Sequence, residues 1–174
     1  MARWPDGGNA PDHNNPEPHR LALGRPQPTF HHLRSGTMRQ EKMTTKLQQA
    51  LSDAQSLAVG NENQYIEPVH LLTALLNQDD GGARSLLARA GVNVGAMTSA
   101  LKSAVERLPK VSGIGGDSQV GRELMSLLNL ADKEAQKRGD QFVASEMVLV
   151  ALTEDKSDCG RLAREAGLSR TSID

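Results

Sequence analysis

"ENQYIEPVHLLTALLNQ", Glu62–Gln78, and "GDQFVASEMVLVALTED", Gly139–Asp155, are two copies of one pattern. Sliding the chain by the distance from Leu47 to Leu124, 77 residues, keeps the match in step without a gap for over thirty positions. Leu47, Leu51, Ala54 and Ala58 fall on Leu124, Leu128, Ala131 and Ala135. Gln64, Tyr65 and Ile66 fall on Gln141, Phe142 and Val143, and Leu72, Ala74 and Leu75 on Leu149, Ala151 and Leu152. After a one-residue deletion, LLARAGV (Leu86–Val92) falls on LAREAGL (Leu162–Leu168). The shared positions are apolar and lie at helical spacing, so a structural unit is duplicated, not a linear motif.

Each unit reads as helices. The first runs from about Thr44 to Val59, with Leu47, Leu51, Ala54 and Ala58 on one face and Gly60 ending it. A loop carrying Tyr65 and Ile66 leads to a short helix opening at Pro68, where a missing amide costs nothing; Ser145, in the equivalent place, reads as an N-cap. SLLARAGV predicts a third helix closed by Gly91, with Val92 folding back in a Schellman contact. Asn93 caps a fourth, whose inward stripe is Met97, Leu101, Val105 and Leu108 before Pro109. The second unit repeats this from about Gln119, but its fourth helix has barely begun after Ser169, which predicts a fragment or module of a longer chain. No strand alternation is visible. The predicted fold is all-α, two four-helix repeats packed as one pseudo-symmetric domain. Repeat one spans 44–109, a linker 110–118 and repeat two 119–174.

The chain of 174 residues is long enough for one domain with a sizeable core. A formal net charge of −1 gives no electrostatic case for nucleic acid or acidic membranes, and 2% aromatic content argues against base-stacking platforms. The apolar run from Met147 to Leu152 is far short of the ~20 residues a membrane span needs. Cys159 is the only cysteine; it excludes an internal disulfide, suits a reducing compartment, and reads as a packing residue at a helix start. Residues 1–37 differ from the rest, holding six of the eight prolines and four of the five histidines without periodicity. They read as a disordered tail, with Met38 as an alternative start. His13, His19, His31 and His32 lack the framework that would pre-form a metal site.

Catalytic signatures are weak. Gly116 and Gly121 have the spacing of a Walker loop, but Arg122 and Glu123 follow where Lys and Ser/Thr should grip phosphate and magnesium, and no strand precedes. The missing strand also defeats a dinucleotide reading. His70 has no nucleophile at a motif spacing and reads as a surface or capped histidine. Glu106, Glu123, Asp132 and Glu134 do not form the Glu-x-x-His pairs of a di-metal bundle. DKEAQKRGD, Asp132–Asp140, reads as the solvated face of a helix end.

The two copies differ in one informative way. Gln48, Asp53, His70 and Thr73 become Met125, Leu130, Met147 and Val150 in the second unit. Either these extra apolar positions are buried against the sister repeat, or they form an exposed groove of the kind that binds other proteins.

LSDAQSLAVGNENQYIEPVHLLTALLNQ (Leu51–Gln78), RLPKVSGIGGD (Arg107–Asp117) and LADKEAQKRGDQFVASE (Leu130–Glu146) resemble the N-terminal domain of ClpB-type AAA+ disaggregating chaperones, which carries the Clp repeat twice. The resemblance implies a cytoplasmic, monomeric substrate-recognition domain that engages unfolded or aggregated polypeptides and passes them to a hexamer pore. It implies no cofactor in this chain, because ATP and magnesium belong to ATPase modules of a parent chain. Those modules, and an Hsp70-type system acting through other regions, would be its partners; nucleic acid and membrane would not. The family's substrate-interacting positions fall on Thr44, Asp140 and Glu146, with an apolar groove at Leu128, Leu130 and Met147, to which Val150 is adjacent. Glu134 departs from the usual apolar residue at one end of that groove. ClpA- and ClpC-like unfoldases and secretion-linked relatives share the fold and dock adaptors or a sheath helix, which keeps a partner-docking role as the alternative.

Overall fold

The computed structural model describes residues 40–113 and 118–174. The expectations for residues 1–37, the four histidines among them, lie outside that range, as do residues 114–117 of the linker. The first repeat contains α1 (Thr45–Gly60), β1 (Tyr65–Ile66), α2 (Pro68–Leu76), α3 (Gly82–Arg89) and α4 (Val94–Arg107). The second contains β2 (Gln119–Val120), α5 (Arg122–Lys137), α6 (Ser145–Leu152), α7 (Asp158–Glu165) and α8 (Arg170–Ile173).

Side-chain caps set the starts of α1, α4 and α8. Thr44 Oγ1 accepts from the Leu47 amide at 3.3 Å, Asn93 Oδ1 from Ala96 at 3.0 Å and Ser169 Oγ from Ser172 at 3.3 Å. Ser145 is a correction: Ala144 is the N-cap of α6, and Ser145 is its first helical residue. That is the place its counterpart Pro68 occupies in α2, where a pre-set φ suits the first turn. The Ser145 hydroxyl is buried without a hydrogen-bond partner among the described residues.

Helix ends follow one rule, used four times. The residue after the cap turns left-handed, and the next amide reaches back to close the last turn. Asn63 donates to the Ala58 carbonyl, Val92 to Leu87, Asp140 to Ala135 and Leu168 to Ala163, at 2.8–3.0 Å. Glycine holds the left-handed position three times, at Gly91, Gly139 and Gly167, but at the end of α1 it is Glu62, with φ of 57°. α1 therefore runs through Gly60, and the turn falls two residues later than the sequence suggested. An L side chain with a Cβ pays about 1–2 kcal/mol in this conformation. Glu62→Gly is expected to raise stability by roughly 1 kcal/mol, read as a melting midpoint a few degrees higher; an unchanged or lower midpoint would refute the strain.

The repeats are joined by an exchange. Ile66 pairs with Val120 in a two-residue parallel ladder, and Met43 forms a parallel bridge to Val143. The 77-residue shift carries Met43 onto Val120 and Ile66 onto Val143, so the two contacts are one interaction made twice, each copy lending its leading segment to the other. The amides agree: Thr44 donates to the Val143 carbonyl and Gly121 to the Ile66 carbonyl, both at 3.0 Å. With an antiparallel bridge between Asn63 and Lys110, these short pairings are the β-structure among the described residues, and they lack alternation because each is two residues or one. The fourth helices cross over in the same way. α4 packs on α2 of its own repeat and α7 of the other; α8 packs on α6 and α3.

One core results. Leu47, Leu51, Leu72, Leu75 and Met97 from the first repeat merge with Leu124, Leu128, Leu149, Leu152 and Ala163 from the second. Cys159 joins it at 1% exposure, and burial pushes its thiol pKa up, which removes thiolate chemistry at neutral pH. None of the described helices is long and apolar enough to cross a membrane.

Candidate functional site

A cleft of about 320 Å³ opens where the start of α1, the start of α6 and the face of α3 converge. Thr44 and Lys46 come from the first element, Ala144, Glu146 and Leu149 from the second, and Ala83, Leu86 and Arg89 from the third. The Met43–Val143 bridge brings the first two together, so the exchange between repeats builds the site. Its floor is apolar: Ala83 and Leu149 are buried and Leu86 half-buried. Its rim is charged. Lys46 pairs with Asp80, whose carboxyl is held below the usual range by that ammonium and by the Gly82 amide at 3.1 Å. Gln78 Nε2 donates to the Lys46 carbonyl at 2.9 Å and fixes the α2–α3 turn against α1. Glu146 is exposed in the first turn of α6, where the helix dipole favours an acid by ~0.3–1 kcal/mol.

Of the residues expected to bind substrate, the cleft unites Thr44 and Glu146. Asp140 is exposed in the α5–α6 turn and does not line it. The expectation of an open apolar strip is corrected. Leu128, Met147 and Val150 have 0%, 3% and 2% of their surface exposed, because α5 and α6 pack directly on each other. Leu130, half-buried, faces a different cavity of about 510 Å³ between α5 and the 154–157 loop. Of the extra apolar residues of the second repeat, Met147 and Val150 are buried, while Met125 and Leu130 are half-buried against the core.

One exchange has a specific cause. His70, the counterpart of Met147, is fully buried, which corrects the surface half of its reading and leaves the capped half, since its side chain completes the capping box of α2. Its Nδ1 accepts from the Glu67 amide at 2.9 Å, which leaves the proton on Nε2 to be donated to Asn63 Oδ1 at 3.0 Å. Asn63 Nδ2 donates to the Pro109 carbonyl at 3.1 Å, and Ser118 Oγ donates to the Asn63 carbonyl at 2.6 Å. The pair thus ties both ends of the linker to repeat one. The counterpart of Asn63 is Asp140, which is exposed, so a polar group at 147 would find no partner and Met147 fills the space.

Glu134 is likewise explained. It is 4% exposed, and Arg170 of α8 clasps both its oxygens at 2.9 Å while also reaching Glu154 at 2.9 Å. The Arg170 guanidinium holds the Glu134 carboxyl below its ordinary range.

Sequence reasoning missed a second, larger cleft of about 700 Å³, lined by Tyr65, Glu67, Val69, Arg107, Arg122, Cys159 and Leu162 among others. It is the repeat counterpart of the first: Gly121 stands for Thr44, Glu67 for Ala144, Val69 for Glu146 and Leu162 for Leu86. Glu67 makes the difference. A Cβ on Gly121 would lie 2.7 Å from Glu67 Oε1, so the carboxylate covers the start of α5, and burial and then Glu123 raise its pKa. The smaller cleft has Ala144 there and stays uncovered. Tyr65 and Phe142, read as part of the apolar pattern, are instead 45% and 53% exposed at equivalent places in the two loops.

Residues 42–166 match the Clp repeat (R) N-terminal domain family. The chain belongs to that family. It is 51% identical over 136 residues to the chaperone protein ClpB of Vibrio cholerae, a match covering 78% of this chain and 16% of that protein. Its fold superposes on the Hsp104 N-terminal domain from Candida albicans with a TM-score of 0.66 at 23% identity, covering 76% of this chain and 86% of that one. It superposes on the N-terminal domain of ClpV1 ATPase from E. coli with a TM-score of 0.67 at 26% identity, covering 76% and 82%. The chain therefore spans about one sixth of the ClpB length it matches.

Proposed function

We propose that residues 38–174 act as the substrate-recognition domain of an ATP-dependent disaggregating chaperone, binding unfolded or aggregated polypeptides for delivery to a hexamer pore. The observation that carries this reading is the 51% identity to the N-terminal region of ClpB. The ATPase modules of a parent chain, with their ATP and magnesium, and an Hsp70-type system are the partners it implies, in a cytoplasmic setting. Thr44 and Glu146 bind at the uncovered cleft, with Asp140 contacting chain that runs past the α5–α6 turn and Leu130 acting from its separate cavity beside the 154–157 loop. Leu128, Met147 and Val150 contribute by holding α5 and α6 in place. The cleft offers room for one or two side chains, each worth ~1.5–3 kcal/mol when fully buried. Association and ordering costs consume much of that, so affinity is about millimolar or weaker, suited to a site that hands its cargo on.

Glu146→Lys is expected to weaken casein binding about three- to tenfold in an NMR titration. Leu130→Ser, on a half-buried residue at the edge of the core, serves as a second probe. If both variants stay folded and bind as wild type does, the polypeptide site lies elsewhere.

A further inference from the structure

We propose that α8 is a strap whose catch is Arg170. Its clasp on Glu134 and Glu154 seats α8 on α3 and α6 and keeps the cleft floor assembled, and opening the clasp lets bound chain go. This rests on the reading of the cleft as a polypeptide site. Three observations support it. The first is how little else holds the strap. The chain is anchored as far as Leu168, which is 3% exposed and whose amide donates to the Ala163 carbonyl at 3.0 Å. Beyond it, α8 has four residues and none is fully buried, with Ile173 half-buried against the core. A single helical turn does not persist without tertiary contacts. The polar ones centre on Arg170. Its Nη1 and Nη2 each donate to a Glu134 oxygen at 2.9 Å, Nη1 also reaches Glu154 Oε1 at 2.9 Å, and Nε lies 3.4 Å from Asp174. Arg138 pairs with Asp174 at the surface, where an ion pair contributes little.

The second comes from the sister repeat. Glu134 falls on Leu57 and, past the one-residue deletion, Arg170 falls on Val94. Leu57 and Val94 are half-buried apolar residues packed against the core, so repeat one has oil where repeat two has a charged clasp. Apolar replacements for a buried ion pair are often as stable or more so, and the best-attested use of the charged form is a register or a switch. Glu134 is 4% exposed, but Lys137 at 3.4 Å and Arg138 at 4.0 Å stay with it when Arg170 leaves, so opening does not strand a buried charge. The third is position. α8 packs on both α3 and α6 and lines none of the cleft. α3 supplies Ala83 and Leu86 to the floor and α6 supplies Leu149. Of its eight residues α3 buries Ala83 and Leu87, so its seat depends on the elements around it. With α8 gone, the floor loses its fixed shape and bound chain must bear the cost of ordering it.

The test compares the full chain with Arg170→Ala and with a Glu134→Leu, Arg170→Val variant, which installs the pair that repeat one uses. Amide spectra and casein titrations are recorded at ~0.1 M and ~1 M salt, between which the screening length falls from about 10 to about 3 Å. Arg170 is 38% exposed, so salt reaches the clasp. In the wild type, added salt is expected to shift the amides of Ser172 and Ile173 together with those of Ala83 and Leu86, and to weaken casein binding about three- to tenfold. Arg170→Ala is expected to show those shifts and that loss already at low salt. The apolar variant is expected to keep α8 seated, to bind casein as the wild type does at low salt, and to change little when salt is added. Amides of α8 that stay put in Arg170→Ala overturn the inference, as do α8 amides that loosen while Ala83 and Leu86 stay unchanged. Casein affinity that falls in parallel in the wild type and the apolar variant also overturns it, because salt then acts on the cargo and not on the clasp. If the amides of α8 and the floor move together and none of the proteins binds casein, the strap stands and the polypeptide-site reading falls.

Discussion

Fragments 40–113 and 118–174, prepared separately, are each expected to melt without a cooperative transition, and an equimolar mixture is expected to regain the helical signal of the intact chain. The reason is the exchange of leading segments. Alone, the first fragment keeps Ile66 without Val120 and Met43 without Val143, and the second keeps the mirror-image deficit. The larger loss is apolar. α2 uncovers the faces it packs on α5 and α7, α4 loses α7, and α3 loses α6 and α8. At ~25 cal/mol per Å², re-exposing only about 400 Å² costs about 10 kcal/mol, as much as the whole net stability of a typical domain at ~5–15 kcal/mol. The linker adds to this: Ser118 leaves with the second fragment, and the buried Asn63 carbonyl loses the donor it had. A sigmoidal melt from either fragment would show that the Clp repeat is a folding unit by itself and that the exchange is only an arrangement of finished parts.

The exchange shows what a single sequence could and could not disclose. The helices and the duplication were legible because Leu47, Leu51, Ala54 and Ala58 repeat at helical spacing in both copies. The pairing of Met43 with Val143 carried no alternation to read, being one residue long, although the shift that aligned the helices also placed Met43 on Val120. That coincidence was the available signal. The end of α1 was misplaced because Glu62 gives no hint of a left-handed turn on its own; its counterpart Gly139 does. The apolar positions gained by the second repeat were visible, but burial and exposure look alike in sequence. Only packing decided that Met147 and Val150 face inward while Leu130 stays half-covered. The cleft itself was illegible, since Lys46, Asp80, Leu86 and Glu146 come from four elements, and nothing in their spacing announces that they meet.

Acidification from pH 7 to 5 is expected to cost the domain about 2 kcal/mol through His70 alone, and about 3 kcal/mol by pH 4. The imidazole is fully buried, and that burial lowers its pKa from the ordinary 6.5 to about 4. Unfolded, it takes up a proton near pH 6.5; folded, it resists until about pH 4. Between those values the unfolded state binds more protons, so stability falls as pH falls and is retained above the unfolded value. Protonation also breaks the local bonding: Nδ1 accepts the Glu67 amide and has no room for a proton of its own. Glu67 acts in the opposite sense, since burial and then Glu123 raise its pKa, and acid removes a charge that both disfavour. Glu134, held below its ordinary value by Arg170, adds loss only once pH enters the carboxylate range. The control is His70→Met, the residue used at the same place in the second repeat. It leaves the Glu67 amide and Asn63 Oδ1 without this partner, at about 1–3 kcal/mol each, so it starts less stable at pH 7. Its midpoint should then stay nearly flat between pH 7 and 5, while the wild type falls by about 5–10 °C. Parallel slopes for the two proteins would mean that His70 does not carry the acid sensitivity, and that its proton is accommodated where this geometry leaves no place for it.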